Sequence, residues 1–285
     1  MAVEQAPAQT ASASPSRAGR NLPAAIGVGL ALAAVLIASL YVRKALFVVV
    51  LVVAIGVGVR ELVRAVRTIG ARPPLIPLVV GGAAMAVLAY LRGPEALVLG
   101  LVLTVLACLV WRLPEGAEGY LKDLAASTLA AVYVPFLAGF AALLLIPADG
   151  PRRVTVFIAT VVCSDVGGYA AGALFGRHPM APSVSPKKSW EGLVGSTAAC
   201  ALGGSVMVAL LLHGAWWQGL LYGLAVVVSA TVGDLGESMI KRDIGIKDMG
   251  TLLPGHGGLM DRLDSLLPTA PVAWLLLSAF VPHAR

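Results

Sequence analysis

Long apolar stretches separated by short polar segments run through almost the whole of this sequence. Nine of them are close to the roughly 20 residues that a helix needs to cross a bilayer. They cover residues 23–41, 45–62, 75–91, 95–111, 124–146, 154–175, 192–213, 217–234 and 266–282. Only 13% of the residues are charged, whereas a typical soluble domain has about 25%. We therefore predict an all-α polytopic integral membrane protein, a helical bundle of about nine transmembrane helices.

Composition divides the chain into three regions. Residues 1–21 are rich in Ala, Ser, Pro and Gln, which is typical of a disordered tail. We assign residues 22–150 to N-terminal transmembrane helices. Residues 151–285 form a C-terminal transmembrane region that carries two charged motifs, and we expect the catalytic chemistry there.

The basic residues predict how the helices are oriented. With the N-terminus inside, fifteen of the 21 Lys and Arg residues fall in inner segments, and such an excess is typical of the cytoplasmic side. The N-terminal tail and the polar segments 176–191 and 235–265 are therefore predicted to be cytoplasmic. The net charge of +6 suits a surface that faces anionic lipid headgroups. The sequence has no basic helix interleaved with aromatic residues, so we expect no nucleic-acid partner.

The first charged motif reads "GDLGESMIKRDIGIKDMGTLLPGHGGLMDRLDS" and stands near the C-terminus. Asp234 ends an apolar stretch, and Glu237 and Lys241 follow at i+3 and i+7, on one face of a continuing helix. Asp261 and Asp264 are i, i+3 on one face of the next helix. Carboxylates from two helices suit Mg²⁺, which takes few protein carboxylates and completes its shell with water and substrate phosphates.

A glycine-rich break, "PGHGG", separates these two groups of carboxylates. The backbone N–H groups of such a loop can bind phosphate oxygens, and the Lys and Arg residues around it can hold phosphates that no metal neutralises. We therefore interpret the motif as a nucleotide–metal site at the membrane surface. The alternative is a solvated cytoplasmic loop whose charges form salt bridges.

The second motif reads "CSDVGGYAAGALFGRHPMAPSVSPKKSWEG". Ser164 and Asp165 lie inside an apolar stretch, where an aspartate is unfavourable unless it pairs or lines a polar cavity. Ser185, Lys187, Lys188 and Ser189 come just before a predicted helix, and hydroxyls with a helix N-terminus form an anion site. The alternatives are ordinary cytoplasmic lysines with an N-cap, and glycines that serve close helix approach.

Both motifs resemble conserved segments of the phosphatidate cytidylyltransferases, also called CDP-diacylglycerol synthases. Residues 238–264 fit the family signature S-x-x-K-R-x4-K-D-x-G-x2-L-P-x-H-G-G-x-x-D-R-x-D throughout, and the resemblance covers roughly residues 160–268. It implies a multi-pass enzyme of the cell (inner) membrane that converts CTP and phosphatidate to CDP-diacylglycerol and pyrophosphate in phospholipid biosynthesis. It also implies Mg²⁺ as cofactor, stimulation by K⁺, membrane lipids as surroundings and a homodimer.

The resemblance also implies roles for single residues. Asp234 and Asp261 would be the metal ligands, supported by Asp264 and Glu237. The candidate catalytic residues are Asp234, Lys241, Asp261, Arg262 and Asp264. The candidate substrate-binding residues are Ser164, Asp165, Ser185, Lys187, Lys188, Glu237, Arg242, Lys247, His256, Gly257 and Gly258.

Two other functions are consistent with parts of this pattern. A CTP-dependent kinase of a polyprenol-type lipid could use a related cytidine site, and it would release CDP instead of pyrophosphate. A transporter could use the intramembrane Asp165 and glycine-broken helices as an ion path. The charge cluster lies at the predicted membrane surface, however, and this position favours an enzyme.

Overall fold

Residues 22–252 and 257–281 are described in the computed structural model of the protein, and most of them are helical. Eight helical segments of this part are long and apolar enough to cross a membrane, and all eight coincide with predicted spans. They are Lys44–Arg67, Leu75–Arg92, Pro94–Glu115, Tyr120–Leu145, Gly150–Phe175, Trp190–Leu212, Trp216–Ile244 and Met260–Phe280. The predicted all-α polytopic class is confirmed.

The first and the ninth predicted spans lie at the two limits of the described residues. The first predicted span, 23–41, coincides with a helix at Leu22–Val42, of which Gly29–Val42 is a shorter apolar helix. The predicted tail, 1–21, lies outside the described residues, and so does the last residue of the ninth predicted span.

We number the helices in chain order. They are α1 (Leu22–Val42), α2 (Lys44–Arg67), α3 (Leu75–Arg92), α4 (Pro94–Arg112), α5 (Tyr120–Ala131), α6 (Leu137–Leu145), α7 (Gly150–Phe175), α8 (Trp190–Leu212), α9 (Trp216–Ile244), α10 (Met260–Leu263) and α11 (Leu266–Phe280). A π-helical segment, Val132–Phe136, joins α5 to α6 within one span. It contains Pro135, whose missing N–H prevents a regular helix there.

Helix α9 is longer than the apolar pattern predicts. The predicted span ends at residue 234, whereas the helix continues to Ile244. It stops where Gly245 takes the left-handed conformation, with φ of 78°, which is a common helix terminator. Because Asp234 therefore lies inside a helix, Glu237 and Lys241 follow it on the same helical face, as their spacing predicts.

A short β-hairpin that the sequence reading does not predict lies between α7 and α8. Its strands, β1 (Pro179–Ala181) and β2 (Ser185–Ser189), pair antiparallel. Ser189 then caps α8, because its Oγ accepts a hydrogen bond from the Gly192 N–H at 3.1 Å. The "SPKKS" segment is thus a β-strand, and the strand holds the backbone of Lys187 and Lys188 in a defined position.

Close helix contacts position α7, α8 and α9 around the site. Gly167 of α7 and Gly195 of α8 face each other, and a Cβ added to Gly167 would lie 2.7 Å from the Gly195 carbonyl oxygen. Gly223 of α9 packs in the same way against the Cys200 carbonyl of α8. These glycines serve close helix approach, which is the alternative role considered for the second motif.

The N-terminal helices form a core that extends to α10. Ile55, Val59 and Leu62 of α2 are buried together with Val134 of the π-helical segment and Met260 of α10. Packing of α2 against α10 therefore connects the N-terminal helices to the helix that carries Asp261.

Hydrogen bonds distinguish the two ends of the bundle. At one end, the Arg72 N–H donates to Asp123 at the start of α5, and Arg242 Nε donates to the Val184 carbonyl at 3.2 Å. At the other end, Gln218 Nε2 donates to the Phe280 carbonyl at 2.9 Å. Because Glu61, near the end of α2, accepts hydrogen bonds from the start of α10, the charged motifs share one end with the α2–α3 and α4–α5 connections, where Arg67, Arg72 and Arg112 lie.

Candidate active site

The two charged motifs meet at one cavity of about 660 Å³. Its wall is formed by α7, the hairpin, the start of α8, α9 and the region from α10 to the start of α11. Nine of the predicted site residues line it: Ser164, Asp165, Ser185, Lys187, Lys188, Asp234, Asp261, Arg262 and Asp264. Segments that are far apart in the sequence therefore form a single polar chamber.

Asp234 of α9 forms an ion pair across this cavity with Lys188 of β2. The Lys188 Nζ lies 2.6 Å from Asp234 Oδ2, and the two side chains are 23% and 33% exposed, respectively. The pair connects the hairpin to α9 and leaves both groups accessible from the cavity. An incoming anion could therefore contact the ammonium, and an incoming cation the carboxylate.

Asp261 is enclosed by donors on several sides. Its Oδ1 accepts a hydrogen bond from Lys241 Nζ at 2.9 Å. Its Oδ2 accepts from the N–H of Met249 at 3.0 Å and from the N–H of Gly258 at 2.9 Å. The side chain is 7% exposed. Asp261 therefore organises the connection between α9 and α10, in addition to facing the cavity.

Glu237 is completely buried behind Asp234 on α9. Neither of its carboxylate oxygens has a hydrogen-bond partner within the described residues. Lys241 Nζ lies 3.4 Å from Glu237 Oε1 and also contacts Asp261, so one ammonium is shared by two carboxylates. A buried carboxylate without hydrogen bonds is unfavourable, and such groups in native proteins are often at functional sites.

Asp264 and Arg262 line the cavity from the α10 region. Asp264 Oδ1 accepts hydrogen bonds from the Ser265 N–H at 2.6 Å and the Ser265 hydroxyl at 3.2 Å. Its carboxylate is close enough to Asp234 for the two negative charges to repel each other. Because like charges are held together here, the arrangement favours the binding of a cation between α9 and α10.

Asp165 and Ser164 take different positions on α7. Asp165 lines the cavity, which is one of the positions in which an aspartate within an apolar stretch is tolerated. Ser164 is buried, and its backbone carbonyl accepts a hydrogen bond from Ser196 Oγ of α8 at 2.7 Å.

Six of the described site candidates are not among the residues that line this cavity. They are Glu237, Lys241, Arg242, Lys247, Gly257 and Gly258. Glu237 and Lys241 lie behind the wall, whereas Arg242 and Lys247 are exposed near the end of α9. Gly257 and Gly258 stand behind Asp261, where Gly257 has φ of 80°. His256 lies outside the described residues.

Two hydroxyls of the cavity, Ser196 and Thr231, are absent from the predicted set, and Ser189 and Ser265 line the cavity as well. Helical spacing could have indicated the two missing residues, because Thr231 precedes Asp234 by three residues and Ser196 follows Ser189 by seven. Glu61, which hydrogen-bonds to the start of α10, has no such signal, because it lies in a different part of the chain.

The carboxylates of the wall match the number of protein ligands that Mg²⁺ takes beside a phosphate. No group of three or more His, Cys, Asp or Glu residues in the described chain is close enough to hold a metal alone. Mg²⁺ usually needs only one or two protein carboxylates, with water and substrate phosphates completing the shell. Asp234 and Asp261 supply that number, and both line the cavity. The donor set therefore fits Mg²⁺ that binds together with a phosphate ligand.

Known proteins resemble this chain along most of its length. The phosphatidate cytidylyltransferase of Mycobacterium leprae (strain TN) is 46% identical over 279 residues, which cover 92% of this chain and 89% of that protein. The phosphatidate cytidylyltransferase of Mycobacterium tuberculosis (strain H37Rv) is 45% identical over 277 residues, or 92% and 84% of the two chains.

A more distant relative matches a shorter region. The phosphatidate cytidylyltransferase of Brucella suis biovar 1 is 39% identical over 150 residues, which cover 51% of this chain and 56% of that protein. The sequence pattern of the cytidylyltransferase family matches residues 23–280, which include all the helices that surround the cavity. The chain belongs to the cytidylyltransferase family.

Proposed function

We propose that this protein is a phosphatidate cytidylyltransferase, which converts CTP and phosphatidate to CDP-diacylglycerol and pyrophosphate. The observation that carries the proposal is the single cavity in which both motifs meet. Its wall holds the carboxylates Asp165, Asp234, Asp261 and Asp264 together with the cationic Lys187, Lys188 and Arg262. Relatives at 45–46% identity carry the same name.

The reaction requires two polyanions to come together. The phosphate of phosphatidate attacks the α-phosphorus of CTP, a new P–O bond forms, and the bond to the β,γ-pyrophosphate breaks. A phosphomonoester with a second pKa near about 6 is largely dianionic at neutral pH. The nucleophile therefore needs no strong general base, and the protein's task is positioning and charge neutralisation.

The cationic side chains of the wall perform part of this task. Lys187 and Lys188 of β2 and Arg262 of α10 line the same cavity but come from different elements, so they can contact the phosphates of two different substrates. The Ser189, Ser196 and Ser265 hydroxyls in the same wall can donate hydrogen bonds to phosphate oxygens. We propose that these cationic side chains and hydroxyls together orient phosphatidate and CTP for in-line attack.

Mg²⁺ is proposed as the cofactor. Four carboxylates and three cationic side chains leave the wall without an excess of positive charge, although it would receive two polyanions. Asp234 and Asp261 would hold the ion, which would neutralise charge on the transferred and leaving phosphates. Asp264 would support them, and Lys241 would hold Asp261 in place through their 2.9 Å hydrogen bond. We propose separately that K⁺ stimulates the reaction.

The proposed location is the cell membrane, with the cavity open to the cytoplasm and the enzyme a homodimer. The excess of basic residues at the cavity end of the bundle supports this orientation. Tyr169 lines the cavity and is 80% exposed, and Val166 and Val194 near it are also exposed. These apolar side chains support a lateral opening, through which the phosphate of phosphatidate reaches the cavity while its acyl chains stay in the lipid.

The test is pyrophosphate release by the purified protein in detergent. Phosphatidate would be supplied with CTP, ATP, GTP or UTP, with and without Mg²⁺, and with and without K⁺. Release that needs CTP, phosphatidate and Mg²⁺ together is the expected result. Formation of CDP from CTP and a lipid alcohol would instead identify a lipid kinase. If folded protein forms neither pyrophosphate nor CDP, the result contradicts an enzymatic function.

A further inference from the structure

Glu61 lies near the inner end of α2, far in sequence from the charged motifs, and yet contacts the catalytic region directly. Its Oε2 accepts a hydrogen bond from the Met260 N–H at 2.8 Å, and its Oε1 accepts one from the Leu259 N–H at 3.2 Å. The residue is only 6% exposed. Both donors lie at the start of the four-residue helix that carries Asp261, so the Glu61 carboxylate binds N–H groups that have no partner within the helix.

Asp261 completes the arrangement from the other side. Its carboxylate accepts hydrogen bonds from the N–H groups of Met249 and Gly258. Two buried carboxylates therefore bind four backbone N–H groups on the two sides of the connection between α9 and α10. Glu61 is the carboxylate of this pair that lies on an N-terminal helix, so it links the connection between α9 and α10 to the N-terminal helices.

Two glycines of the first motif provide the space for the Glu61 carboxylate. A Cβ added to Gly250 would have only Glu61 atoms as its three nearest neighbours, with Cδ at 2.6 Å and Cγ at 3.0 Å. A Cβ added to Gly258 would lie 2.7 Å from Glu61 Oε2 and equally close to the Gly250 nitrogen. The absence of side chains at these positions is therefore explained by Glu61.

We propose that Glu61 is a positioning residue, which holds the start of α10 so that Asp261 and Asp264 face the cavity. The anchoring itself can be tested without any assumption about the reaction. Its consequence for catalysis rests on the proposed function.

The most specific test of the Glu61 hydrogen bonds is Glu61→Gln, which keeps the size of the side chain. A carboxylate accepts through both oxygens, whereas an amide has one acceptor oxygen and an NH₂ group that cannot accept. One of the two N–H groups at the start of α10 would then face a donor. We expect faster hydrogen exchange, by about tenfold or more, in peptides that contain Leu259 and Met260.

Catalysis should respond through the turnover number. A small displacement of Asp261 and Asp264 lowers kcat by at least about tenfold, because misplacement of catalytic groups on the order of 1 Å has large effects. The matched control is Val48→Ala, at a residue of the same helix α2 that is buried in a different part of the core from Met249 and Met260. This control should destabilise the protein while exchange at Leu259 and Met260 changes only as much as elsewhere.

A double-mutant cycle tests the contact itself and remains informative if Glu61 variants are inactive. Gly250→Ala should lower the thermal unfolding temperature in the wild-type background, because the new methyl group meets Glu61. In a Glu61→Ala background the same change should have little further effect. Unfolding can be followed through labelling of the free cysteines, of which Cys108 and Cys200 are buried.

The outcomes separate the anchoring from the proposed function. Unchanged exchange in Glu61→Gln, or an equal effect of Gly250→Ala in both backgrounds, would overturn the anchoring. Faster exchange with unchanged kcat would overturn the positioning role. If the wild-type protein forms no pyrophosphate, the proposed function fails, and the exchange data still decide whether Glu61 anchors the turn.

Discussion

Asp123 and Glu237 are both buried carboxylates, and they differ in their surroundings. Asp123, at the start of α5, is 3% exposed and accepts hydrogen bonds from Arg112 Nε at 2.7 Å and from the Arg72 N–H. Glu237, in α9, is fully buried, and its oxygens have no hydrogen bond within the described residues. Its nearest cation, Lys241, is shared with Asp261.

The difference indicates two uses of buried charge in one membrane protein. Arg112 also donates to the carbonyls of Gly116 and Glu118, so the Asp123 network is saturated and holds the α4–α5 connection. Glu61 belongs to the same saturated class. Around the cavity, by contrast, Asp234 and Asp264 are close enough to repel each other, and Glu237 behind them has no hydrogen bond within the described residues, which is typical of sites that bind ligands or ions.

The largest effect is expected from breaking the saturated pair. Asp123→Ala would remove the buried partner of Arg112 and leave it with the largely exposed Glu115, which should lower the free energy of unfolding by about 3–5 kcal/mol. Denaturant or thermal unfolding in detergent measures this loss. The folded fraction should keep its kcat, since the pair does not line the cavity. A variant that is stable but inactive would contradict the structural role that we give to the Asp123–Arg112 pair.

Asp234→Asn is expected to have the opposite profile. It removes a charge from the incompletely paired set, so the rate should fall by about 10²–10³-fold, and the Mg²⁺ concentration for half-maximal rate should rise. Pyrophosphate release over a Mg²⁺ titration measures both. The unfolding temperature should change little, because Asp234 is partly exposed.

The matched control for Asp234 is Asp243→Asn. Asp243 is exposed on the same helix and does not line the cavity, so its neutralisation should leave the rate nearly unchanged. An equal loss of rate in both variants would show that the charge of α9 as a whole matters, and not the position of Asp234.

Lys188→Gln should have an intermediate effect. It removes the ammonium that lies 2.6 Å from Asp234, and we expect the KM for one of the two substrates to rise by about tenfold, because a charged hydrogen bond contributes roughly 1.5–3 kcal/mol. Separate titrations of CTP and phosphatidate identify which substrate it contacts. An unchanged KM for both would restrict Lys188 to a structural role.

Glu115→Gln should have the smallest effect on the free energy of unfolding, and it tests whether Asp123 is the main anionic partner of Arg112. Glu115 Oε2 lies 3.5 Å from Arg112 Nε, but its side chain is 52% exposed. The free energy of unfolding should change by less than about 1 kcal/mol, as for other surface ion pairs. A loss as large as that of Asp123→Ala would mean that Glu115, and not Asp123, is the main partner of Arg112.

Local patterns predicted much of this protein correctly. Apolar stretches of sufficient length identified the eight membrane-crossing segments, since a helix that satisfies its own backbone is one of the few structures stable in lipid. Helical spacing placed Asp234, Glu237 and Lys241 on one face of α9. Both motifs were recognised as polar segments of the same membrane side, because the basic residues indicate orientation.

Contacts between distant segments could not be predicted in this way. Nothing near Glu61 in the sequence indicates that it binds the N–H groups of Leu259 and Met260, 198 and 199 residues away. The hairpin that directs Lys188 to Asp234 was missed as well, because its strands are only three and five residues long and lack the alternation of a typical strand.

The amino-acid pattern alone thus established the class of protein, the family resemblance and the candidate residues, because these depend on composition, period and spacing along the chain. The packing of helices decided which charges are saturated and which face the cavity. Whether a carboxylate holds the scaffold, as Asp123 does, or stays incompletely paired, as Glu237 does, depends on donors brought close by other helices, and these donors are identified only in the folded chain.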